Sequence, residues 1–150
     1  MTRVMFVCLG NICRSPMAEF IFRKMVEDKG MGGSFFIASA GTSAEEYGNP
    51  VYPPARRELA KHGISCEGKR AVQLKREDFD KYDYFLCMDK SNLRNTNRLF
   101  GTDKKQHLLL SFTPQSGEVA DPWYTGEFAT TYQDIESGCL SFLNFLATKN

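Results

Sequence analysis

Apolar residues recur along this chain with two periods. Val4 to Val7 is a continuous apolar run of strand length, suited to a strand buried on both faces. Beyond Ser15-Pro16 the spacing changes. Ala18, Ile21, Phe22 and Met25 share one face of a helix running to Gly30, with Ser15 as N-cap and Pro16 at the first helical position. Phe35 to Ala38 predicts a second strand, and Pro54 to His62 a helix stopped by Gly63. Tyr82 to Met88 predicts a third strand, Ser91 to Phe100 a helix, and His107 to Leu110 a short fourth strand. The strongest periodicity comes last, where Phe128, Tyr132, Ile135, Cys139, Phe142 and Leu146 step alternately by four and three. That stripe is a core-facing helix surface.

Strands alternating with helices predict an α/β protein. The expected form is a three-layer αβα arrangement, a four-stranded parallel sheet with right-handed crossovers and helices on both faces. No repeat, low-complexity tract or linker-like stretch interrupts the alternation, so residues 1–150 are expected to form a single domain. Ligands of such sheets sit beyond the carboxyl ends of the strands, where strand order reverses. The segment leaving the first strand is Cys8 to Ser15.

Composition narrows the function classes. A formal net charge of +1 offers no electrostatic footprint for nucleic acid or an anionic membrane. No run approaches the roughly 18 consecutive apolar residues of a membrane span, and the apolar start is too short for a secretory signal. Five cysteines, at 8, 13, 66, 87 and 139, are odd in number and irregular in spacing. Reduced thiols of a cytoplasmic protein are expected, with Cys66, Cys87 and Cys139 as buried small hydrophobes. The two histidines, His62 and His107, show no metal-ligand spacing, and neither metal nor cofactor is called for. Lys104-Lys105 and Arg56-Arg57 read as solvated charge.

The residues Cys8, Leu9, Gly10, Asn11, Ile12, Cys13, Arg14 and Ser15 carry the candidate chemistry. A phosphate dianion needs converging donors and a positive field, and a loop wrapping into a helix N-terminus supplies both. Gly10 and Asn11 are residue types that tolerate the left-handed backbone such a wrap requires. Arg14 adds a planar fork for two phosphate oxygens. At an ordinary pKa of about 8.5 a cysteine is mostly thiol near neutrality, but helix N-termini and arginine favour the reactive thiolate. The cradle that binds phosphate therefore also activates Cys8 as a nucleophile. Ser15 either donates a hydrogen bond to that thiolate or is an N-cap, and the two roles are compatible. Cys-x5-Arg alone would arise in roughly one chain in ten of this length. Its placement between a strand and a proline-started helix gives it weight. A Walker-type loop is excluded because no second glycine precedes Lys-Ser/Thr.

Cleaving an ester also requires a proton for the leaving oxygen. Asp121-Pro122-Trp123-Tyr124 supplies a candidate acid, with proline restricting the backbone and two aromatics to wall a pocket. Burial against Trp123 and the charge of bound phosphate are expected to help Asp121 keep its proton. The bland reading of the same residues is a polar turn capping the last helix.

With both motifs placed, the chain resembles the low-molecular-weight protein tyrosine phosphatases. The similarity runs on through Ser39-Ala40-Gly41-Thr42, Gly48-Asn49-Pro50, His62-Gly63-Ile64 and the segment Asp83 to Leu93. It covers nearly the whole chain. It implies a Rossmann-like, four-stranded parallel sheet and hydrolysis of phosphotyrosine in proteins through a phosphocysteine intermediate, without metal. It makes Cys8 the nucleophile, Arg14 the phosphate clamp, Asp121 the general acid and then base, and Ser15 the thiolate's partner. Asn11 would hold the loop's shape with Ser39 as its partner, and Ile12, Trp123 and Tyr124 would wall the substrate pocket. Cys13 matches a second loop cysteine able to form a reversible disulfide with the oxidised nucleophile, or else a small loop filler. Implied partners are tyrosine-phosphorylated proteins or peptides, phosphate and similar oxyanions; a monomer is expected.

Departures bear on the substrate. Glu45 stands where the family often has an aromatic wall, with Glu46 and Tyr47 following, so Tyr47 is the candidate substitute. Where many members have a histidine, this chain reads Lys69-Arg70-Ala71-Val72-Gln73. Related protein arginine phosphatases carry threonine at the loop position held here by Ile12, whose apolar side chain suits an aryl ring. Phosphoarginine is the alternative substrate. Thiol-coupled arsenate reduction lacks a relay pair of cysteines, and a phosphocysteine carrier would not need Asp121.

Overall fold

The computed structural model describes residues 1–149. Four parallel strands, β1 (Thr2–Cys8), β2 (Phe35–Gly41), β3 (Tyr84–Cys87) and β4 (Gln106–Leu108), lie in the order β2-β1-β3-β4. Around them pack α1 (Arg14–Asp28), α2 (Pro53–Lys61), α3 (Lys90–Phe100), a single-turn α4 (Pro122–Thr125) and α5 (Phe128–Thr148). The chain passes from β1 to β2 on one side and later adds β3 on the other. Strand order therefore reverses at β1, and the crevice of the sheet opens at its carboxyl end.

Alternation along β1 divides the interior between the two faces of the sheet. Val4 and Phe6, with Leu86, pack against Met17 and Phe22 of α1, Leu59 of α2, and Ile135 and Phe142 of α5. Met5 and Val7, with Phe85 and Cys87, pack against Leu74, Tyr82 and, from α3, Leu93 and Phe100. Phe22 lies at the centre of the first layer, 5.8 Å from the ring of Phe6 and 5.7 Å from that of Phe142. All five cysteines are buried and free. His62 ends α2 by stacking flat on Tyr132 of α5 at 3.7 Å. No helix of the described residues is long and apolar enough to cross a membrane.

The elements expected from periodicity are present, and their ends differ where tertiary contacts decide. β2 continues past Ala38 to Gly41 because β1 pairs with it through Cys8, overriding the weak strand preference of Ser39-Ala40-Gly41. The fourth strand stops at Leu108, and Leu109–Phe112 coil into a 3-10 turn that buries Leu109 and Leu110. The first helix begins at Arg14 with Cys13 at the cap position, so Ser15 is not an N-cap; its hydroxyl is engaged elsewhere. Met25 is only half-buried. Lys105 is not freely solvated: its ammonium donates to the Phe79 carbonyl at 2.7 Å and lies 4.3 Å from that ring.

Close packing of α5 depends on Gly138. A Cβ there would stand 2.7 Å from Leu109 Cγ and 3.0 Å from Leu110 Cδ2. Gly138→Ala is therefore expected to destabilise the fold by about 1–3 kcal/mol, despite alanine's better helix propensity. Urea unfolding checks this; an unchanged midpoint would mean that the leucine pair repacks without cost.

Candidate active site

Cys8 ends β1, and the chain then wraps through Leu9 to Cys13 into the first turn of α1. Asn11 takes the left-handed backbone, φ 60°, and is almost wholly buried. Gly10 does not take it; its lack of a side chain instead makes room for Glu46, whose Cγ would lie 3.3 Å from a Cβ at that position. Loop and sheet are stitched together by backbone bonds from Thr42 to Cys8 and from Ser43 to Leu9, each 2.9 Å. A bond from Tyr52 to Ile12, at 2.8 Å, ties the loop to the start of α2.

The Cys8 sulfur receives the Asn11 backbone N–H at 3.3 Å and lies 2.9 Å from Ser15 Oγ. Asn11 Nδ2 donates to Ser15 Oγ and to Ser39 Oγ, at 2.8 and 3.0 Å, so the structure brings together both supports expected for the loop. Arg14 is buried, with one guanidinium nitrogen donating to Asp89 Oδ2 at 2.8 Å and to the Val119 carbonyl at 2.9 Å. Its other terminal nitrogen is 3.5 Å from Asp121 Oδ2. Burial disfavours the guanidinium charge, but Cys8, Asp89 and Asp121 outweigh that and hold Arg14 above its ordinary value. Burial, then Cys8 and Asp121, push the Cys13 thiol up to about 12.

Asp121 Oδ1 accepts the Trp123 N–H at 3.0 Å and so caps α4, the short turn that the sequence pattern left unassigned. The carboxylate is about a quarter exposed and close to Arg14, rather than buried against Trp123. The Trp123 ring packs 4.8 Å from that of Tyr52.

These groups border one cavity of about 190 Å³, lined by Cys8, Leu9, Gly10, Ile12, Cys13, Arg14, Glu45, Glu46, Asp121, Trp123 and Tyr124. Tyr47 does not line it and is largely exposed; Glu46 takes that place, fixed by a 2.7 Å bond from Asn49 Nδ2. A larger cavity of about 690 Å³ lies by Thr2, Asp83, Tyr84 and Lys149, at the opposite end of the sheet, away from Cys8 and Arg14. Among the described residues no cluster of His, Cys, Asp or Glu is placed to hold a metal ion.

Residues 3–150 match the family described as low molecular weight phosphotyrosine protein phosphatase. The chain belongs to this family. The low molecular weight protein-tyrosine-phosphatase YfkJ of Bacillus subtilis is 40% identical, over 95% of this chain and 94% of that one. The human low molecular weight phosphotyrosine protein phosphatase is 44% identical, over 93% and 92% respectively. The crystal structure of YfkJ superposes with a TM-score of 0.95 at 38% identity, covering all of this chain and 97% of the other. Membership in the family accords with the four-stranded parallel sheet and with the loop on its central crevice.

Sequence reasoning missed Asp89 and Tyr52. Asp89 was legible only as a helix cap, being followed by Asn92 in a capping box at the start of α3. Its second role needs the chain to fold, since Arg14 lies 75 residues earlier. Tyr52 carried no signal beyond an aromatic before two prolines.

The two loop cysteines should differ sharply towards electrophiles. A thiol at about 12 is almost entirely protonated at pH 7, and thiolate is the alkylated species. Iodoacetamide at neutral pH should label Cys8 and leave Cys13 unmodified, with Cys13 labelling appearing only in strong alkali. Peptide mapping by mass spectrometry decides it; comparable labelling of both at pH 7 would contradict this account.

Proposed function

We propose that this protein hydrolyses phosphotyrosine in proteins or peptides through a phosphocysteine intermediate. One observation carries the reading: Cys8, Arg14 and Asp121 face a single cavity at the carboxyl end of β1, bounded by loop backbone and Trp123. Cys8 thiolate attacks phosphorus, forming the S–P bond as the ester O–P bond breaks. Asp121 gives its proton to the departing phenolic oxygen. It then takes a proton from the water that cleaves the S–P bond, releasing inorganic phosphate and restoring the thiolate. Arg14 and the loop amides hold the equatorial oxygens of the transferring phosphoryl group.

Charge neutralisation fits this sequence of events. Arg14 is matched on one side by Asp89, leaving its other nitrogen directed at the Asp121 carboxylate and the cavity. A phosphate dianion entering there meets a guanidinium already oriented, so little ordering is needed on binding. Ile12 is half-buried at the cavity wall, where an apolar side chain suits an aryl ring. That favours phosphotyrosine over phosphoarginine. Glu45 and Glu46 on the opposite wall replace an aromatic lining with negative charge. Soluble phosphoproteins are the partner class this chemistry serves, and a cytoplasmic setting suits five reduced thiols.

Rapid mixing with an aryl phosphate followed by acid quench should trap phosphate on Cys8, and Cys8→Ser should neither turn over nor form the adduct. Active wild-type protein without a phosphocysteine would overturn the mechanism. Asp121→Asn should lower kcat on phosphotyrosine peptides by about 10²–10⁴, and less with better leaving groups. The activity profile should be bell-shaped, because the step needs a deprotonated thiol and a protonated carboxyl together. Turnover of phosphoarginine peptides equal to that of phosphotyrosine peptides would refute the substrate assignment.

A further inference from the structure

Behind the phosphate loop, a chain of hydrogen bonds runs from Cys8 into the interior and ends on charges. Its direction can be worked out. Asn11 Oδ1 accepts the Val72 backbone N–H at 3.0 Å, a group that can only donate, so the amide orientation is fixed and both protons lie on Nδ2. Those protons go to Ser15 Oγ and Ser39 Oγ. Ser39 passes its own proton to Glu19 Oε1 at 2.6 Å. Ser15, accepting from Asn11, has its single proton left for the Cys8 sulfur 2.9 Å away.

The far end requires a charged acceptor. Glu19 Oε1 takes the Ser39 proton while Oε2 takes one from Arg23 at 2.7 Å, so both oxygens face donors, the arrangement an acceptor-only carboxylate satisfies. Its side chain is only 8% exposed, and a carboxylate so enclosed needs a compensating charge. Two cations supply it: Arg23, 2.7 Å from Oε2, and Lys69, 12% exposed, whose Nζ lies 3.5 Å from Glu19 Oε1 and donates to the Ser39 carbonyl at 2.9 Å. Lys69 thus holds both the acid and the strand residue that contacts it. Burial draws the lysine below its ordinary value, and Glu19 opposes that shift. The charged or titratable groups acting on Lys69 are Glu19 and Arg23 of α1 and Cys8 of β1.

We propose that Lys69 and Glu19 are positioning residues for the nucleophile. Their buried ion pair anchors Ser39 from both sides, and Ser39 in turn holds the Asn11 side chain where its other proton reaches Ser15 and leaves the Ser15 hydroxyl donating to Cys8. The proposal rests on the reading of Cys8 as nucleophile. It gives a function to the lysine found where many members of the family have histidine.

The test reads the sulfur itself. Cys8 labelling by iodoacetamide is followed across pH by mass spectrometry, alongside kcat and KM for para-nitrophenyl phosphate and the thermal midpoint. Lys69→Met should move half-maximal labelling of Cys8 up by about one pH unit, the size of one lost charge-linked interaction. It should also lower kcat roughly three- to tenfold with little change in KM, whereas Lys69→Arg retains wild-type behaviour. Lys69→Gln replaces Lys69→Met if the latter does not fold. In a Ser15→Ala background, Lys69→Met should shift Cys8 labelling clearly less, because only the Asn11 N–H and the field of the ammonium then reach the sulfur. Equal effects with and without Ser15, or an unmoved labelling profile in folded Lys69→Met, would overturn the proposal. Phosphocysteine trapping is scored separately, so failure of the nucleophile reading and failure of this coupling give different results.

Discussion

The whole site depends on how closely the phosphate loop approaches the end of β2. Cys8 pairs with Gly41, and the loop folds back over it so tightly that a Cβ on Gly41 would lie 2.6 Å from Leu9 O and 3.0 Å from Gly10 C. Both are backbone atoms and cannot swing aside. The loop therefore closes only because residue 41 has no side chain. This contact sets the turn that carries Asn11 into its left-handed conformation and places its N–H on the Cys8 sulfur. It also aims the start of α1 at the crevice, so the loop amides and Arg14 converge on one point without a dedicated scaffold.

Packing so much polarity at a strand end is costly unless each group is matched. Two charged clusters and one neutral side chain meet that requirement here. Arg14 is shared between Asp89 and Asp121 at the mouth, Glu19 between Arg23 and Lys69 behind the loop, and Asn11 carries neutral hydrogen bonds between the two regions. The apolar layers either side, with Phe6, Phe22 and Phe142 on one face and Val7 and Phe85 on the other, keep water from these bonds. Hydrophobic burial holds the sheet, and the sheet holds the charges in register.

The division between what the sequence disclosed and what it concealed follows from range. Val4 to Val7, the α5 stripe and the Cys8-to-Ser15 loop are local patterns, and each appears where expected because strand runs, helical periods and loop-to-helix turns are encoded by neighbouring residues. Asp89 is 75 residues from its arginine and Lys69 is 30 from the carbonyl it holds, so neither pairing leaves a local trace. The ends of β2 and β4 were likewise misplaced because pairing with β1 and packing under α5 outweigh local preference. Tyr47 was the reasonable aromatic substitute on sequence spacing, but the turn through Glu45 and Glu46 directs it outward.

Asp121 and Asp89 show why a cap reading and a functional reading need not compete. Each is the N-cap of a helix, and each uses Oδ1 for that purpose, on the N–H of Trp123 and of Asn92 respectively. Oδ2 is then left over in both, and in both it points at Arg14. A cap bond fixes the plane of a carboxylate as effectively as a packed side chain would, and so defines where the second oxygen lies. In Asp89 that oxygen meets Arg14 at 2.8 Å, holding the guanidinium in its plane. In Asp121 the contact is longer, 3.5 Å, on a carboxylate that borders the cavity. The shorter contact suits a fixed support, and the longer one, on the carboxylate that lines the cavity, suits the proton-exchanging role proposed for Asp121. Two aspartates in the same kind of local structure are thus set apart by a difference of 0.7 Å in their reach to Arg14 and by which of them lines the cavity.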